Sequence, residues 1–126
     1  MIFITNRLSG SKYNYTDLNR VEGNVFLISE MLNEYGYTDV INTKTDWTSL
    51  DFPKATSMQT YIDNVNTLKN SFYSLAPNPP TVMDNLTYIG ANNIEKTLNS
   101  VYDLIVSMEK TFKYSGEFYS GNDILI

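Results

Sequence analysis

The feature that most constrains this chain is the stretch Thr87–Phe112. Ala91, Ile94, Leu98, Val101, Ile105, Met108 and Phe112 recur there at alternating steps of three and four. That spacing places them on one face of a helix, which at about 1.5 Å per residue would be roughly 37 Å long. So long an apolar stripe has to be buried, and the rest of the chain has to cover it. Leu18, Val21, Val25, Ile28 and Leu32 supply a second stripe, widened by Leu27, Met31 and Tyr35. Thr16 stands at its N-cap position, Asp17 at the positive end of the dipole, and Gly36 at a left-handed stop. Gly23 falls inside this helix, where it is expected to permit close helix contact. Met58, Tyr61, Ile62, Val65, Leu68 and Phe72 form a third stripe. Thr56 and Gln59 open it at capping-box spacing, and Pro77-Asn78-Pro79-Pro80 closes it.

These stripes predict an all-α fold, an antiparallel three-helix bundle in a single domain over 1–126, with helices at 16–35, 57–75 and 88–113. Thr87 and the Leu86/Ala91 staple open the long helix, and Gly116 is its expected stop. Residues 1–15 read as an N-terminal arm, 37–55 as an irregular connection ended by Phe52-Pro53, and 114–126 as a C-terminal tail. Ile2–Ile4 and Ile124–Ile126 are apolar ends that would pair in a small β-patch or dock onto a partner.

Composition removes several functions. The net charge is −5 with no Lys/Arg cluster, which disfavours nucleic acid as a partner. There is no cysteine and no histidine, so thiolate metal sites, a Cys nucleophile and a histidine base are all absent. Neither a phosphate loop nor a calcium loop occurs. No apolar run approaches the roughly 20 residues of a membrane span, and no signal sequence is evident. Glu22 with Glu30, or Asp63 with Glu95, could be posed as acid–base pairs, but each is assigned to the polar side of its helix and so to solvent. No catalytic residue, metal ligand or cofactor site is expected.

Aromatic residues carry more information. Trp47 lies in a connection, where it serves either as a lid on the bundle, its N–H finding a carbonyl, or as an anchor for a partner. Tyr114, Phe118 and Tyr119 lie in the tail. Together with Ile2, Phe3, Ile124, Leu125 and Ile126 they make up the candidate interface. Trp47 and Tyr37 could instead stack on a host cell-surface glycan.

Several segments carry a resemblance. They are Tyr13-Asn14-Tyr15-Thr16-Asp17-Leu18-Asn19-Arg20-Val21-Glu22, Thr43–Thr48 with Asp51-Phe52-Pro53, Tyr61-Ile62 and Asn64-Val65. Met83–Tyr88, Gly90-Ala91-Asn92, Ile94-Glu95 and Tyr114-Ser115-Gly116-Glu117 complete the set. Over about residues 13–121 the chain resembles a helical module of phage and prophage structural proteins from clostridia and related Firmicutes, found among tail and fibre components. The resemblance implies a non-enzymatic part of a virion or tail-like particle, made in the host bacterial cytoplasm. Its partners would be other tail or baseplate proteins and copies of itself, with a trimer favoured.

Overall fold

A computed structural model describes residues 1–37, 41–51, 54–71 and 78–121, with 112–121 as backbone alone. The fold is an all-α three-helix bundle, with α1 at Tyr15–Asn33, α2 at Ala55–Ser71 and α3 at Tyr88–Gly121. Every helix packs on the other two. The three stripes form one core. Leu18, Val21, Val25, Ile28 and Leu32 meet Tyr61, Ile62, Val65 and Leu68, and both sets meet Ile94, Leu98, Val101 and Ile105. Met108 is half-buried and Leu27 is exposed. Phe72 and the Phe112 side chain lie outside the described residues.

The helices do not alternate in direction. Arg20, early in α1, pairs with Glu95, early in α3. Tyr35, just past the end of α1, lies within the electrostatic reach of Glu109. The two helices therefore run the same way. Met58 and Ala55, at the start of α2, share a cleft with Leu18 and Leu86, beside the starts of α1 and α3. All three helices start at one end of the bundle. An antiparallel bundle needs short links. Here the chain between helices is long enough to run back along a helix, since about 3.3 Å per extended residue outpaces 1.5 Å per helical residue.

The return paths are extended arms in the grooves between helices. Residues 1–8 lie between α3 and α1, with Ile4 and Arg7 bonded to Glu95 and Asn92, and Ile2 to Asn24. Residues 41–51 lie between α1 and α2, with Lys44 and Trp47 bonded to Glu22 and Asn19, and Asn42 to Asn64. Residues 78–87 lie between α2 and α3, with Thr81 and Pro80 bonded to Gln59 and Asn66, and Asn78 to Asn93. Three arm-plus-helix units thus close in a ring. No strand forms among the described residues. Ile2–Ile4 makes no β-patch, because its backbone is satisfied by helix side chains rather than by another strand. Ile124–Ile126 lies outside the described residues, as do Phe52 and Pro53.

Capping explains the remaining differences. Asn14, not Thr16, caps α1. Its side chain accepts from the Thr16 N–H, and Asp17 accepts from the Asn14 N–H at 2.9 Å, completing a capping box. α1 ends at Asn33, two residues short of the expected Tyr35, and the chain turns at Gly36, which has the expected left-handed φ of +89°. The Gly36 and Tyr37 N–H groups donate back to Asn33 and Leu32, a Schellman closure. Gly23 is not a contact glycine, since a Cβ there would meet nothing within 4 Å. Thr56 and Gln59 form no capping box, because α2 already includes them and Gln59 turns to Asp63 and Thr81. Thr87 caps α3 through the Gly90 N–H. Gly90 sits where a Cβ would come within 3.2 Å of Leu86 Cδ1. α3 passes Gly116 and ends at Gly121, so 114–121 is helix, not a loose tail. With Tyr35 level with Glu109, the last turns of α3 run past the end of α1.

Candidate functional site: two helix clamps

The most ordered polar chemistry is built twice. In α1, Asn19 accepts from the Trp47 N–H and donates to the Trp47 carbonyl, both at 2.8 Å. In α3, Asn92 holds Arg7 in the same way, at 2.9 and 3.0 Å. One turn further along, Glu22 accepts the Lys44 N–H and Glu95 accepts the Ile4 N–H, each at 3.0 Å. The other oxygen of each carboxylate takes the side chain of the clasped residue: Trp47 Nε1–H donates to Glu22, and Arg7 Nη2 lies 2.8 Å from Glu95. Asn and Glu three apart on a helix share a face. Asn-x-x-Glu therefore grips an extended arm at two residues that are also three apart. In α2 the same register carries Gln59 and Ile62, and only the amide contact to Thr81 forms.

The α3 clamp contains a closed ion cluster. Arg7 and Arg20 face Asp17 and Glu95, with four contacts of 2.8–3.0 Å. Two cations against two anions leave no net charge. Glu95 is 0% exposed. Arg7 also stacks over Tyr13, 5.0 Å from the ring centre, and the Tyr13 and Tyr61 hydroxyls bond to each other. Burial pushes both phenols up. Burial also opposes ionisation of Asp17, but the Asn14 N–H and the two guanidinia outweigh it and hold that carboxyl below its ordinary range. At the α1 clamp the balance is reversed. Burial raises Glu22 despite the Lys44 N–H and the Trp47 indole.

Glu22 and Glu95 thus overturn the solvated-face expectation, whereas Glu30 and Asp63 are exposed as expected. Glu95 is enclosed, whereas Glu22, 4% exposed, borders a cleft of about 210 Å³ together with Lys44, Ser57 and Thr60. Every buried side-chain polar atom among the described residues has a partner, and no group of acids there could hold a metal.

Trp47 is 5% exposed and forms part of the core, so its ring offers no stacking face to a sugar. Its N–H finds a carboxylate rather than a carbonyl. Phe3 packs on the core with its ring 6.0 Å from Tyr102, while Ile2 is 70% exposed. Tyr114, Phe118 and Tyr119 fall on the C-terminal turns of α3, their side chains outside the described residues. Ile124, Leu125 and Ile126 lie wholly outside them.

Exposed apolar side chains occur on the middle of α1, at Phe26 and Leu27, and near the starts of the helices. Leu8, Leu50, Val82, Tyr88 and Ile89 form the second group, with Leu50 92% exposed. Val82 lines a cleft of about 590 Å³ with Leu18, Met58, Met83 and Leu86, and a second cleft of about 380 Å³ is bordered by Leu18, Trp47 and Tyr15. No described helix is long and apolar enough to cross a membrane.

Searches of protein-family models, curated proteins and solved structures find no match to this chain.

Proposed function

We propose that this protein is a non-enzymatic structural or adaptor component of a phage tail, baseplate or fibre-like particle, working through protein–protein contacts. The observation that supports the non-enzymatic part is that the carboxylate oxygens of Glu22 and Glu95 are already engaged by arm N–H groups, guanidinia and an indole. The particle assignment rests on the resemblance over residues 13–121. The exposed apolar residues Leu8, Leu50, Val82, Tyr88 and Ile89, near the starts of the helices, are the candidates for such contacts.

The test is sedimentation of particles released from a host carrying the gene, with detection of this chain by mass spectrometry. The proposal expects the chain in the particle fraction, and expects Leu50→Asp with Ile89→Asp to shift it to the supernatant while circular dichroism stays unchanged. A wild-type chain found only in the supernatant contradicts the assignment.

A further inference from the structure

The two clamps share a geometry and differ in charge. At the α3 clamp the buried carboxylate meets two guanidinia, Arg7 and Arg20, each at 2.8 Å. At the α1 clamp no cation among the described residues touches the carboxylate. Glu22 takes one N–H on each oxygen, the Lys44 N–H at 3.0 Å and the Trp47 indole on the other. The charged and titratable groups that the described residues bring to it are few. Arm 41–51 supplies Lys44 and Asp46, and α2 supplies the Tyr61 phenol. The Lys44 ammonium is committed to Asp46 at 2.8 Å and lies over the Trp47 ring, 4.9 Å from its centre. Asp46 thus already matches its charge.

A buried carboxylate without a counter-ion persists only while its two bonds offset the cost of burying the charge. Protonation removes that charge. It also puts an O–H on one of two oxygens that had both only accepted, so at least one of the two N–H groups loses its charge-assisted bond. Both groups belong to arm 41–51. The carboxyl borders the cleft of about 210 Å³ with Ser57 and Thr60 of α2, so a proton can reach it without unfolding the chain.

We infer that Glu22 is an acid-sensitive latch on arm 41–51: as a carboxylate it holds Lys44 and Trp47, and as a neutral carboxyl it slackens that hold while the three helices stay in place. The latch has its own pH window. Burial holds Glu22 above 4.5, whereas Asp17 of the α3 cluster lies below 3.8. From pH 4.5 down to 3.8 the latch is open and Asp17 still pairs with Arg7 and Arg20. Because the folded chain binds the Glu22 proton more tightly than the unfolded one, opening the latch does not unfold the bundle. The inference stands on the clamp geometry and does not depend on the particle assignment.

The one tryptophan of the chain reports on the latch directly. In the full-length wild-type protein, the Trp47 Nε1–H resonance is expected to titrate with a midpoint above pH 4.5, shared with the carbon-13 resonance of the Glu22 carboxyl, while far-UV circular dichroism stays flat. Below that midpoint, exchange of the Lys44 amide or the indole N–H, relative to its intrinsic rate, is expected to quicken about tenfold, the worth of one such bond. The Ile4 and Arg7 amides should keep their protection. Glu22→Gln carries no charge at any pH, and its indole resonance is expected not to titrate. An indole resonance that stays fixed down to pH 3.8, that moves only with loss of helicity, or that still titrates in Glu22→Gln overturns the proposal. So does a titration in which neither N–H exchanges faster. If Glu22→Gln does not fold, the wild-type titration decides alone, and separate midpoints for the carboxyl and the indole overturn the latch.

Discussion

At the scale of single residues, the account turns on buried charge. Glu95, itself fully buried, neutralises the buried Arg7 and the partly exposed Arg20. Glu95→Gln leaves Arg7 and Arg20 facing Asp17 alone and is expected to cost about 3–5 kcal/mol, the usual penalty for breaking a buried pair from one side. Urea unfolding at neutral pH measures it. Asp17 sets part of the acid limit. Its folded pKa lies below the ordinary 3.8, so its contribution is complete above about pH 4 and is lost as pH falls through the depressed folded value. Asp17→Asn should therefore lie furthest below wild type near neutral pH, with the gap narrowing in acid. Glu22 has the opposite sign. Its folded pKa is raised above 4.5, so its contribution is present below that value and fades as pH rises through the folded one. Glycine 23 is the plainest case. It is helical with open space where a Cβ would go, and Gly23→Ala is expected to add about 0.5–1 kcal/mol.

At the scale of elements, the clamps join helices to arms. Asn19→Ala and Asn92→Ala each remove two bonds to an arm that has no ladder partner. Each is expected to cost about 1–3 kcal/mol. The two share no partner, so the double variant should lose the sum, as denaturant midpoints would show. This is also where the sequence was only partly legible. The helical stripes were plain because burial imposes a 3.6-residue period, and nearly every position on them is in the core. The polar residues between them looked like solvated face, since a charge on a helix usually is. Glu22 and Glu95 are exceptions because arms cover them, and an arm without periodicity leaves no pattern of its own. A signal was nonetheless present: Asn19-Arg20-Val21-Glu22 and Asn92-Asn93-Ile94-Glu95 repeat Asn-x-Val/Ile-Glu at one register, directly after Leu18 and Ala91. Helix direction could not be read from the stripes, because a stripe faces the core equally well in either sense.

At the scale of the whole molecule, three arm-plus-helix units close on one another: α1 grips the second arm, α2 touches the third and α3 grips the first. The exposed Leu8, Leu50, Val82, Tyr88 and Ile89 lie near the shared start of the three helices, the face proposed for partner contact. α3 leaves from the other end. This closure predicts cooperative behaviour in segments that belong to no helix. Native-state hydrogen exchange of the Ile4, Arg7, Lys44 and Trp47 amides tests it most directly, because each donates to a helix side chain rather than to secondary structure. The account predicts that all four are protected to nearly the level of the core helices and are released together at global unfolding. Exchange of these amides as fast as that of the exposed Leu50 amide would contradict it, and would reduce the arms to loose connections on a bundle held by its helices alone.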